Sequence, residues 1–226
     1  MTARAQMLLA LQHADSQFPS GGFAFSQGLE ASSQLESRLG KFDLENFVQG
    51  QIAHRWAEAD RIAVTRAHRC KDDLTAIADL DAEVEASTFS DLLRTGSRRN
   101  GIGLLTSHAR LGIAGAERYR MMVKAHSAHG HLAVVQGMLW HALGLDEATA
   151  VLMSGYQAAA SLTTAAVRLG LVGAIEAQAV LGRALAVVDD FAGRLVENDE
   201  PIRSFVPLAE IAVATHGASG QRLFSN

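Results

Sequence analysis

Apolar residues return every three or four positions along most of this 226-residue chain, and nowhere do they alternate with polar residues between hairpin turns. That period belongs to helices that bury one face, and it argues against a sheet-based fold. The clearest case follows Asp43, where Leu44, Phe47, Val48, Ile52, Trp56, Ala59 and Ala63 share a stripe. Asp43 stands where an N-cap belongs, with Gly40 and Lys41 in the turn before it. Ser87 or Thr88, followed by Asp91, approximates a capping box for a helix carrying Phe89, Leu92 and Leu93. A third start falls at Asp146, after Leu143-Gly144-Leu145. Behind Gly173, Leu181, Leu185, Val188, Ala192 and Leu195 lie beside a second stripe of Val180, Ala184, Val187 and Phe191. An apolar arc that wide predicts a helix wedged between others. β-branched residues are scattered through Ala-rich windows, so the expected fold is all-α, a single-domain helical bundle of about eight to ten helices over residues 1–226.

Hydrophobic residues make up 48% of the chain and charged ones 19%, the composition of an ordered globule. Twenty Lys and Arg stand against 24 Asp and Glu, for a net charge of −4, which leaves no basic excess for nucleic acid. The single cysteine, Cys70, has no thiol partner within the chain and fits a reducing, cytoplasmic setting. At the N-terminus the apolar run of Met7, Leu8, Leu9 and Leu11 is broken by Gln12 and His13, so no signal peptide is read. The uncharged stretch from Ala148 to Val167 is long enough to span a bilayer. It carries Thr149, Ser154, Gly155, Gln157, Ser161, Thr163 and Thr164, and is read as a buried helix packed by small residues rather than a membrane span.

Three segments break the helical rhythm: Phe18 to Gly22, Gly96 to Gly103 and Asn198 to Pro207. Loops on a helical scaffold often carry function. Catalytic patterns are missing. The lysines are Lys41, Lys71 and Lys124, none of them closing a Gly-rich phosphate loop. In Gly217-Ala218-Ser219-Gly220 the serine is out of register for a nucleophile elbow, and Asp189 and Asp190 are adjacent on a helix, pointing about 100° apart. No catalytic residue and no cofactor are expected. The one local cluster of metal-ligand type is His126, His129 and His131, which lacks a nearby carboxylate or thiolate in sequence. It sustains an alternative reading as a helical metal-binding protein, beside the blander one in which His131 packs or caps a helix. A third reading is a small-ligand-binding helical protein with the Phe18–Phe23 loop as a pocket wall.

Larger blocks carry more information. Leu11-Gln12-His13-Ala14-Asp15-Ser16-Gln17-Phe18-Pro19-Ser20-Gly21-Gly22-Phe23-Ala24-Phe25-Ser26-Gln27-Gly28-Leu29-Glu30 resembles the N-terminal signature of the UreF family of urease accessory proteins. His131 through Gly137, closing with Leu143-Gly144-Leu145, resembles that family's central segment. Ala166-Val167-Arg168-Leu169-Gly170, with Gly173 and Gln178 behind it, resembles its Arg-Leu-Gly block, and Pro207 to Ile211 through His216 to Arg222-Leu223-Phe224-Ser225 resembles its C-terminus. The blocks fall in family order across nearly the whole chain, while residues 61–124 match in helical pattern and length alone.

The resemblance implies an all-α homodimer that serves as a chaperone for nickel insertion. Such a protein bridges a UreD-type scaffold, also called UreH, and the UreG-type GTPase, and the assembly delivers nickel to apo-urease. It further implies partner-binding roles for Phe23, Ser26, Arg168, Gln178, Arg222, Leu223 and Phe224. Some family members carry Tyr at the position of Phe23, so its hydroxyl is lost here. Gly170-Leu171-Val172-Gly173 replaces the usual Gly-Pro-Leu-Gly, which implies a less rigid joint between two helices. Two readings of Arg168 stand side by side: a cation set against a helix dipole, worth about 0.3–1 kcal/mol, or a docking residue for the GTPase. Residues 217–226 are expected to form a flexible tail whose Arg222-Leu223-Phe224 anchor orders on binding.

Overall fold

Side-chain oxygens start the helices. Asp43 accepts from the Asn46 amide at 3.1 Å, Asp73 from Thr75 and Ala76, Ser90 from Leu93, and Asp146 from Thr149 at 2.8 Å. The computed structural model describes residues 1–15, 17–19, 27–39 and 42–216, and their regular structure is entirely helical. The order is α1 (Ala3–Ala14), α2 (Leu29–Leu39), α3 (Leu44–Gln51), a π-helical segment (Ile52–Asp60), α4 (Arg61–Arg69), α5 (Leu74–Ser87), α6 (Asp91–Arg110), α7 (Ala116–Lys124), α8 (Leu132–Ala142), α9 (Glu147–Arg168), α10 (Ala174–Ala192) and α11 (Pro207–His216). Because α3, the π-helical segment and α4 run on without a break, the described residues form ten separate helices in an all-α single-domain bundle, as the periodicity predicts.

The hub is α8, buried without interruption from Ala133 to Trp140 and packed against α4, α6 and α9. A helix apolar all round has nowhere to go but the interior. A second apolar cluster joins α3, the π-helical segment, α9 and α10 around Trp56, whose indole N–H donates to Ser154 Oγ at 2.9 Å. The third is small: Ala31 of α2 and Leu93 of α6 meet Ala212 and Val213 of α11. The π-helical segment was not foreseen from the sequence. Its His54 and Glu58 carbonyls accept from the Phe205 and Arg203 amides, lacing the extended strap before α11 onto the bundle.

Three expectations are corrected. Gly96 to Gly103 is no loop, since α6 runs straight through it. A Cβ on Gly101 would fall 2.0 Å from the Gly130 carbonyl oxygen, so this glycine serves a close approach rather than a helix break. The helix start near Ser87 and Thr88 belongs to Ser90, while the Ser87 and Thr88 hydroxyls donate back to the Glu83 and Val84 carbonyls at the end of α5. Finally, α10 is not wedged: Ala177, Val180, Leu181, Ala184 and Val188 are buried on one side, whereas Ile175 on the other is 86% exposed, as is most of Leu195 beyond it.

Candidate partner-docking site

The N-terminal block starts on a stack of two buried histidines and the half-buried Phe18. Phe18 lies 4.7 Å from His13 and 5.1 Å from His108, and the two imidazoles stack at 5.0 Å between ring centroids. His108 Nδ1 sits 2.9 Å from the Leu104 carbonyl, so it carries the proton and Nε2 keeps a bare lone pair with no partner. His13 Nδ1 is also unpartnered. Burial, and then the neighbouring His108, pull His13 down to about 4, and burial lowers His108 as well, which leaves both rings neutral at neutral pH.

Helix α9 holds His13 and Gln27, which lie on either side of residues 20–26 in the chain. Gln157 donates to the His13 carbonyl at 2.8 Å, and Ser161 accepts from Gln27 at 2.9 Å. The Ser107 hydroxyl donates to the Pro19 carbonyl. Phe23 and Ser26 lie outside the described residues.

A second knot surrounds the histidine cluster. The Asp81 carboxylate, fully buried, accepts from the amides of His129 (2.8 Å), Gly130 (2.6 Å) and His131 (3.0 Å) and from the Tyr119 hydroxyl (2.8 Å). Four donors on one carboxylate fix the 128–131 turn ahead of α8. Burial, then the Asp81 carboxylate, push the Tyr119 phenol upward. Ser97 Oγ accepts from the Leu132 amide, so its own proton goes to His131 Nδ1, and His131 Nε2 donates to Glu85 at 2.7 Å. Burial lowers His131, against the opposing pull of Asp81 and Glu85. For Glu85, burial would raise the carboxyl, yet the His131 hydrogen bond and the Arg98 charge outweigh it and hold the group below its usual range.

Both His131 nitrogens are therefore engaged, while His126 is exposed at the end of α7. Among the described residues no three His, Cys, Asp or Glu side chains are placed to hold a metal ion together.

The third block sits on the α9–α10 turn. Arg168 is the last residue of α9 and Gln178 lies near the start of α10, so the structure brings these two to the same end of one hairpin, both exposed. The turn closes with Leu171 N–H on the Ala166 carbonyl and Gly170 N–H on Val167, with Gly170 at φ 70°. This left-handed closure is a helix stop in its own right where proline is missing. Arg222, Leu223 and Phe224 lie outside the described residues, as does the whole tail 217–226.

The family model for UreF matches residues 40–185, from just ahead of α3 to well inside α10. The chain belongs to the UreF family of urease accessory proteins. Relatives extend the likeness over nearly the whole chain. A protein named urease accessory protein UreF from Kocuria rhizophila is 35% identical over 97% of this chain and 97% of its own length. Another from Trichodesmium erythraeum is 28% identical over 98% and 97%, and urease accessory protein UreF 1 of Brucella melitensis is 30% identical over 97% and 92%.

Within this UreF-family chain, sequence reasoning picked out Phe18, His131, Arg168 and Gln178 but missed His13, His108, Asp81, Glu85 and Ser97. Asp81 sits on an amphipathic helix where an acidic residue usually faces water. Only its four donors, brought from α7 and the 128–131 turn, mark it out. No helix among the described residues is long and apolar enough to cross a membrane.

Proposed function

We propose that this chain is a non-enzymatic assembly factor in urease maturation, bridging a UreD/UreH-type scaffold and a UreG-type GTPase so that nickel reaches apo-urease. The observation that carries this reading is the likeness, over 97% of the chain, to proteins named urease accessory protein UreF. On this reading the chain works in the cytoplasm as a homodimer, takes no cofactor of its own, and meets nickel as the cargo of the complex.

Its partner-binding groups are divided between two places. Arg168 and Gln178 offer a cation and an amide at the exposed end of the α9–α10 hairpin, beside the exposed Ile175, a mixture suited to docking the GTPase. Phe23, Ser26, Arg222, Leu223 and Phe224 belong to the loop and tail assigned to the scaffold protein. The Asp81 and His13 knots hold the described helices together and have no part in docking on this reading.

Co-expression with UreD-type and UreG-type proteins from the same source, followed by chromatography with light-scattering mass, tests the reading. A ternary species with two copies of this chain is expected, and it weakens with Arg222→Ala while the chain stays folded. Failure of folded components to associate, with nucleotide and nickel supplied, would overturn it.

A further inference from the structure

Charge is unevenly distributed. Between Asp91 and His126 the chain carries seven Lys and Arg against two Asp and Glu, although its net charge is −4. Arg94 and Arg98 pair with Glu85, Arg94 also with Asp91, and Arg120 with Glu117. Arg99, Arg110, Arg118 and Lys124 are exposed and make no salt bridge among the described residues.

These four cations lie on two neighbouring helices. Helices α6 and α7 pack together, and Ile102 of α6 and Val123 of α7 both lie against the buried Gly130. Arg99 lies one turn from Ile102 on α6, and Lys124 follows Val123 on α7. Arg110 ends α6 beside Leu111, and Arg118 lies in the first turn of α7. Ile102, Leu111 and Met121 are exposed, Met121 by 47%, giving apolar patches among mostly cationic neighbours, with Glu117, paired to Arg120, the one exposed acid on α7, an arrangement met at protein interfaces.

We propose that the α6–α7 face docks an acidic surface of a partner protein. A two-fold contact with a second copy would set these cations against one another, which like-charge repulsion opposes. Nucleic acid fits poorly, because the face offers no exposed aromatic for base stacking, Tyr119 being buried, and the rest of the chain is acidic. Met121 supplies the adaptable apolar contact that protein partners exploit. Only the naming of partners in the second arm below rests on the proposed urease role.

In the first arm, the purified chain is titrated with poly-L-glutamate at low and high salt. Arg99→Glu/Lys124→Glu should weaken binding about tenfold and flatten its salt dependence. Arg110→Glu/Arg118→Glu should act likewise, whereas Arg4→Glu/Lys71→Glu, with the same change in net charge, should leave binding within about twofold. In the second arm, the same variants are tested against the UreD-type, UreG-type and apo-urease proteins, and one of the three should show the same pattern.

Equal effects of patch and control reversals, or no binding of poly-L-glutamate by the wild type, would overturn the inference. So would tighter binding of double-stranded RNA or phosphatidylglycerol vesicles than of any acidic protein. Patch-dependent binding of poly-L-glutamate without binding of any urease protein would sustain the docking face and refute the urease role instead.

Discussion

Tyr119 of α7 donates its hydroxyl to Asp81 of α5 across 2.8 Å, in a place that solvent does not reach from either side. The same carboxylate holds the three amides that lead into the central helix α8. Asp81 thus ties together α5, α7 and the start of α8, and through α8 the α4 and α6 faces packed on it.

Removing that carboxylate strands three amides, two of them buried, and a buried phenol at once. Asp81→Ala is expected to cost about 3–5 kcal/mol, because each orphaned buried donor carries its own desolvation penalty. Tyr119→Phe, which deletes one donor and leaves the carboxylate three others, should cost only about 1 kcal/mol. Urea unfolding of both variants checks the ratio, and equal losses would show that the amides find other acceptors.

Acid should destabilise the chain, with a definite sign and window. His13 is held near 4 in the folded state by burial and by His108, below its ordinary 6.5, so the unfolded chain binds more protons between those values. Its contribution is fully present above about pH 6.5 and is lost as the pH falls through 4. His108 and His131 are lowered by burial and act in the same direction, and Glu85 adds to the loss at lower pH. The His13 share is on the order of 2–3 kcal/mol. Melting temperature measured from pH 7.5 to 4 should fall, and His13→Gln should flatten that slope while lowering stability at neutral pH.

Two glycines predict opposite signs. A Cβ on Gly137 of α8 would sit 2.3 Å from the Val64 carbonyl oxygen, so Gly137→Ala must push α8 off α4, at a cost of roughly 1–3 kcal/mol or more. Gly182, inside α10, has nothing within 4 Å of its missing Cβ. Gly182→Ala should therefore stabilise the chain by about 0.5–1 kcal/mol through helix propensity alone. Thermal melts of the two variants settle both signs in one experiment.

What could be read from the sequence was local. Asp43 and Asp146 announced their helices because an N-cap acts within three residues, and the end of α9 at Arg168 followed from the apolar run and the glycine behind it. What escaped depends on distant groups. Gly101 looked like a breaker because the backbone it accommodates, at Gly130, is 29 residues away in the chain. His13 in α1 and His108 in α6 are 95 residues apart in the chain, and no local pattern pairs them. The π-helical segment leaves the apolar stripe of Ile52, Trp56 and Ala59 intact, so periodicity alone could not reveal it. The residues proposed for docking were legible only as blocks, through family resemblance, since Arg168 and Gln178 individually look like ordinary exposed polar residues.

The most direct test of the urease role is the nickel content of urease from cells that express the urease subunits and the other accessory proteins with or without this chain. Without it, urease should fold and assemble but hold little nickel and show little activity, and restoring the chain should restore both. Urease fully loaded with nickel in its absence would contradict the role proposed for it.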